Sequence, residues 1–201
     1  MKRKWITLLL GVICAVSACT CLRVQAQQQA LANCMIRLHV VANSDDPHDQ
    51  ALKLKVRDAV LKETAEAAYA KDPKAALAEN LNAIRDAAQE VLLSEGCEDT
   101  VTVKLGKELY PTREYDSFRL PAGVYESLRV NIGKAEGHNW WCVVFPSLCM
   151  AASSEDLTQA AQTAGFSDGQ IRLITDTGEG YEVRFKVLEL LGQLKNFLWD
   201  A

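Results

Sequence analysis

Arg37, His39 and Asp45 stand close together in the sequence, beside Asn43, and form its densest group of reactive side chains. Histidine is the commonest general base near neutral pH, and a carboxylate on its other ring nitrogen would orient it. His39 as base with Asp45 as orienter is therefore the sharpest chemical reading. That reading also needs a nucleophile, and no local motif supplies one. The plainer reading of the same residues is a turn, a helix cap and the polar face of a strand. Between the two stands a patch that faces a ligand or a partner.

A second group lies in Gly137-His138-Asn139-Trp140-Trp141-Cys142-Val143-Val144-Phe145-Pro146-Ser147-Leu148-Cys149. A Cys142 thiolate with His138 as base needs the chain to fold back, because four extended residues span roughly 13 Å. Zinc on His138, Cys142, Cys149 and Cys97 fits no familiar ligand spacing. A Cys142–Cys149 disulfide would close a short loop around Pro146, leaving Cys34–Cys97 as the remaining pair. The tryptophans offer a fourth reading. Alternation along a strand puts Trp140 and Trp141 on opposite faces, so a sheet covered on one side buries one and exposes the other as an interface anchor. The more apolar face, with Val143 and Phe145, assigns Trp141 inward, and Trp140 then shares the outer face with Cys142 and Val144.

A third motif, Asp176-Thr177-Gly178, matches the triplet of aspartyl proteases, which need two such aspartates sharing a proton. One copy is present. Asp-Thr-Gly-Glu-Gly between two alternating runs is also ordinary turn chemistry, and that reading is preferred.

The elements that must position these groups follow from periodicity. Ile36, Leu38, Val40 and Ala42 alternate with Arg37, His39 and Val41, which predicts a strand with one apolar face. Asp46 is a good helix N-cap, Pro47 suits the first helical position, and a helix is expected from Pro47 to about Tyr69. A second is expected from Pro73 to Gly96, with Leu77, Leu81, Ile84, Ala88 and Val91 on one face. Beyond position 100 the period becomes two. Val101–Leu105 reads as a strand, Tyr115–Arg119 as a short partner, and Leu128–Ile132 with Trp140–Phe145 as a hairpin. Ser153–Ala164 reads as a helix, Ile171–Thr175 and Tyr181–Val187 as a second hairpin, and Leu188–Leu198 as a closing helix. The fold class is α+β: a mixed or antiparallel sheet with hairpins and helices mainly on one face.

Lys2, Arg3 and Lys4 precede an uncharged run from Trp5 to Leu22, so residues 1–26 read as a signal peptide or signal anchor and 27–201 as one exported domain. Cleavage can follow Ala18 or Ala26, with release the expected outcome. Val16-Ser17-Ala18-Cys19 also fits a lipobox that would lipidate Cys19. In each case the basic flank stays inside and the body lies outside the cytoplasm, touching membrane only through the N-terminal segment or a partner. Export makes disulfides among Cys34, Cys97, Cys142 and Cys149 reasonable. Net charge is −4 with both signs interspersed, which argues against nucleic acid as a partner. Nothing calls for a cofactor or metal. The candidate partner-binding residues are Trp140, Trp141, His138, Asn139, Arg37, His39, Asn43 and Asp45.

Three stretches, IRLHVVANSDDPHDQALKLKVRDAVL (36–61), LPAGVYESLRVNIGKAEGHNWWCVVFPSLC (120–149) and YEVRFKVLELL (181–191), together resemble the stage II sporulation protein R family. The resemblance implies a secreted signal made in the forespore and exported into the space between forespore and mother cell. There it would trigger a membrane-embedded aspartyl protease that processes pro-sigma-E. It implies an activator with no catalysis of its own, in preference to an exported hydrolase built on Arg37, His39 and Asp45.

Overall fold

The first strand is buried at all six positions, which makes it the centre of the sheet and not a half-solvated face. In the computed structural model, which describes residues 2–148 and 153–175, this strand, β1 (Ile36–Val41), lies between two others. The remaining strands are β2 (Val101–Tyr110), β3 (Arg113–Glu114), β4 (Arg119–Leu120), β5 (Gly123–Ile132) and β6 (Asn139–Phe145). The main sheet runs β2-β5-β1-β6, and β3 and β4 form a separate small ribbon. β1 is parallel to β5 and antiparallel to β6, while β2 is antiparallel to β5. The sheet is mixed and the class is α+β.

The expected hairpin between 128–132 and 140–145 does not form. β1 is inserted between these runs, so the Gly133–His138 link passes over the end of β1. Backbone bonds fix the crossing: Glu136 N–H donates to Asn43 O (3.1 Å) and Gly137 N–H to Ala42 O (3.0 Å). A Cβ at Gly137 would sit 2.2 Å from the backbone oxygen of Ser44. Gly137→Ala should therefore force the two loops apart and destabilise the fold by roughly 2–3 kcal/mol, read by urea denaturation.

The helices are α1 (Lys2–Asn33), α2 (Pro47–Thr64), α3 (Pro73–Glu79), α4 (Leu81–Ser94), α5 (Ser154–Thr163) and α6 (Asp168–Thr175). α2 starts as its sequence dictates, with the Asp46 carboxylate accepting from His48 N–H (2.8 Å) and Pro47 in the first turn. It stops at Thr64, and a separate 3₁₀ turn covers Ala67–Tyr69. The single helix expected after Pro73 is two, because Asn80 leaves helical geometry and its side-chain amide donates to Ala76 O (2.9 Å). Ile171–Thr175 is helical, not a strand. Ser167 begins that helix, and Ile171 and Ile174, three apart, are buried together. The second run of the expected hairpin, the Asp176 triplet and the closing helix lie outside the described residues.

One core packs α2, α3 and α4 against Leu38, Val40, Leu128, Val130, Cys142 and Val144. A second lies against the other sheet face and joins the last turn of α1 (Leu31, Ala32) to Tyr110, Phe118, Tyr125, Val143, Leu157 and Ile171. Covering both faces of β6 changes the expected roles of the tryptophans. Trp140 packs on the first core and Trp141 on the second, each half-buried. The face of Trp140, Cys142 and Val144 is the one turned to the main core. Phe145 joins it because a bulge near Val144 pairs Ile36 with Phe145 but Arg37 with Val143, which turns Phe145 over.

α1 crosses position 26 without a break, and Gln28, Leu31 and Ala32 are buried in the domain. Several side chains of the Trp5–Leu22 run are outside the described set. Among the described residues no helix is long and apolar enough to cross a membrane.

Candidate functional site

Strand register assembles the site. One row across the sheet reads Lys104, Arg129, His39, Trp141, and the next reads Gly106, Ser127, Arg37, Val143. These rows share the face opposite α2–α4. The His39 ring, buried at 3% exposure, has Nδ1 2.8 Å from Glu108 Oε1 and Nε2 2.8 Å from Asn139 Oδ1. It stacks on Trp141 with centroids 3.8 Å apart, and Tyr110 meets the same indole edge-on at 4.7 Å. Glu108 also accepts from Arg129 Nη1 (2.7 Å) and Ser127 Oγ (2.8 Å), and Ser127 shares a further bond with the Tyr110 hydroxyl (2.7 Å). Burial by itself would raise the Glu108 carboxyl. The bonds from His39 and Ser127 and the charges of His39 and Arg129 outweigh that and hold it below the usual glutamate range.

Arg37, with no exposed surface, lies beneath this network. Its guanidinium sits 4.0 Å over the Tyr110 ring and 5.1 Å from that of Tyr125, and Nη2 donates to the Tyr115 hydroxyl (2.6 Å). Among the described residues Nε and Nη1 have no hydrogen-bond partner. The charge is thus held by aromatic faces and a phenol in place of a carboxylate. Burial dominates the tyrosines as well, raising Tyr115 and Tyr110 and pushing Tyr125 up to about 12.

The expected pairing of His39 with Asp45 is not made. Asp45 belongs to the loop after β1 and accepts from both the backbone N–H and the ring Nδ1 of His138. The His138 side-chain bond is the main cause of its lowered carboxyl pKa. Asn43 Oδ1 accepts from Lys134 N–H (3.0 Å), and the Asn43 amide donates to Asp49 (2.9 Å). Lys53 closes the group, donating to Gln50 Oε1 (2.6 Å) and His138 O (3.0 Å), and desolvation lowers its pKa. Asn43, Asp45 and His138 therefore clasp the crossover loops. Arg37, His39, Asn139 and Trp141 gather in or beside the buried network. Trp140 sits on the opposite face under the Arg57 guanidinium, 4.9 Å away.

Glu108, Tyr110, Ser127 and Arg129 belong to the site through strand register and carry no local motif. Ending the second strand at Leu105 cut off Glu108, although Lys104, Glu108 and Tyr110 keep the alternation that would have shown it. Arg129 reaches His39 only through the parallel β1–β5 pairing, which no local pattern announces.

Cys142 is buried and disulfide-bonded, while position 149 lies outside the described residues. Cys34 and Cys97 are free, which overturns their suggested pairing. Their neighbours explain it: Cys97 packs on the first core and Cys34 on the second. Cys19 is free and exposed on α1. Among the described residues no three His, Cys, Asp or Glu side chains gather as metal ligands would.

The arrangement consumes its reactive groups internally. His39 and Ser127 both bond Glu108, and the Ser127 hydroxyl is itself buried. Such a network can fix the shape of a surface and present its rim.

Residues 32–155 match the family described as Stage II sporulation protein R, a span that begins in the last turn of α1 and covers the whole sheet. The chain is 30% identical over 185 residues to Stage II sporulation protein R of Bacillus subtilis (strain 168), covering 79% of this chain and 80% of that protein. No solved structure matches. The sheet, its buried network and the clasped crossover all fall within the matched span, and the chain belongs to the stage II sporulation protein R family.

Proposed function

We propose that this protein is an exported sporulation signal that activates a membrane-embedded aspartyl protease, which then processes pro-sigma-E, linking forespore gene expression to mother-cell fate. Family membership carries this reading. The protein works in the space between the two membranes, released or held by its N-terminal segment, and catalyses nothing itself. The chemistry of the site supports a binding role: His39 and Arg37 are buried, Asp45 is committed to His138, and these three do not converge on a substrate. The contact surface is drawn from Trp140, Trp141, Asn139 and the clasped loops carrying Asn43, Asp45 and His138. A Cys142–Cys149 disulfide would brace the end of β6 beside them.

Export couples to assembly in an unexpected way. The last turns of α1 belong to the second core, so cleavage after Ala26 would have to leave Gln28–Ala32 helical and docked.

Coexpression in a non-sporulating bacterium tests the reading. Full-length chain, protease and precursor together should yield processed sigma factor by immunoblot, and omission of the chain should abolish it. Processing without the chain, or none with the folded chain exported, would overturn it.

A further inference from the structure

Among the described residues the second core covers only part of its sheet face. Toward the crossover end, β2 and β5 are bare on that side: Thr102, Lys104 and Gly106 are exposed, and Arg129 and Asn131 are partly so. Among the described residues a Cβ added at Gly106 would meet nothing within 4 Å, so none of them lies over the strand there.

On this open surface Lys104 and Arg129 stand directly opposite each other across β2 and β5. Like charges in that position repel and weaken a sheet. Glu108 is the carboxylate that offsets them, and it is already shared with His39 and Ser127. The Arg129 guanidinium is nevertheless fixed. Nε donates to Asn131 Oδ1 (2.9 Å) and Nη1 to Glu108 Oε1 (2.7 Å). Among the described residues nothing bonds Arg129 Nη2 or Lys104 Nζ. A guanidinium held in place with one edge unused, beside an unpaired ammonium, is preorganised for a carboxylate.

We propose that this bare half-face is a docking surface for an extended acidic segment of the partner protein, one of whose carboxylates is gripped by Arg129 Nη2 and Lys104 Nζ. Thr102 and Asn131 flank that grip and supply neutral hydrogen bonds. The proposal rests on the activator reading for the identity of the partner. Its chemistry stands on the surface alone. A chain of net charge −4 repels acidic peptides as a whole, so affinity for one requires a local site.

The test uses the full-length chain in detergent, with no protease present, and a fluorescent hexaglutamate peptide as probe. Saturable binding is expected, with hexaglutamine failing to bind. Lys104→Glu should weaken binding at least tenfold while the melting temperature stays the same or rises, since the substitution replaces a like-charge cross-strand pair with an opposite-charge one. Lys62→Glu, the same charge change on α2, should leave it within twofold. Equal loss in both variants, no hexaglutamate binding, or equal competition by inorganic phosphate would overturn the proposal. Failure here leaves the activator reading standing. Hexaglutamate binding without protease activation by wild-type chain would sink that reading and spare the surface.

Discussion

Glu108→Ala should destabilise the protein by roughly 3 kcal/mol, because one truncation strips partners from His39, Ser127 and Arg129 together. The largest part of that cost is the desolvated imidazole and hydroxyl left behind. Glu108→Gln keeps the shape and should cost less, though it replaces a charged acceptor with a neutral one. The two variants also report on pH. The folded-state carboxyl is held below the ordinary glutamate value of 4.5. A depressed acid stabilises the fold above its unfolded pKa, and that contribution disappears as pH falls through the folded value. Stability of the wild type should therefore decline on acidification below about pH 4.5, and Glu108→Gln should flatten that limb. Urea midpoints measured from pH 7 to pH 3 check it. An unchanged acid limb in Glu108→Gln would remove Glu108 from the account.

Trp141→Ala is the second large effect, at about 3 kcal/mol, the lower end for an aromatic truncation because the side chain is half-buried. The indole is stacked on His39, meets Tyr110 edge-on and has the Arg113 guanidinium 5.2 Å from its ring. Its loss opens the buried network to water as well as removing contacts. Trp140→Ala loses packing on the first core and one contact beneath Arg57, with no buried polar network behind it, and should cost about half as much. Circular dichroism through a urea titration distinguishes them, since removing an indole alters fluorescence by itself. Equal losses would mean that the two faces of β6 are packed alike.

The strand that centres the sheet was legible because Ile36, Leu38 and Val40 alternate, and so was the start of α2, because Asp46 and Pro47 leave little choice. The helical core positions Leu52, Val56, Ile84 and Ala88 also follow from spacing. Burial of Arg37 and His39 was not legible. Alternation reports which side a residue faces, and the layer over that side is built from Leu31, Phe118, Leu157 and Ile171, scattered along the chain. The expected β5–β6 hairpin fails for a related reason. A six-residue link with Gly133 and Gly137 suits a hairpin locally, and only the long-range insertion of β1 forbids it. Ile171–Thr175 is β-rich in composition, yet the Ser167 cap and the burial of Ile171 with Ile174 make it helical. In the candidate site, the types Arg37, His39 and Asn139 could be picked out by eye. Their partners Glu108, Ser127 and Arg129 required the register.

The most direct measurement of the central claim, that this chain is a signal and not a catalyst, is a reconstitution in two arms. Purified full-length protein is added to vesicles carrying the membrane-embedded protease and pro-sigma-E, and in parallel to pro-sigma-E in vesicles lacking the protease. Processed sigma factor is expected in the first arm alone, rising with the amount of chain added. Processing in the arm without protease, or none in either arm while the chain remains folded, would contradict it.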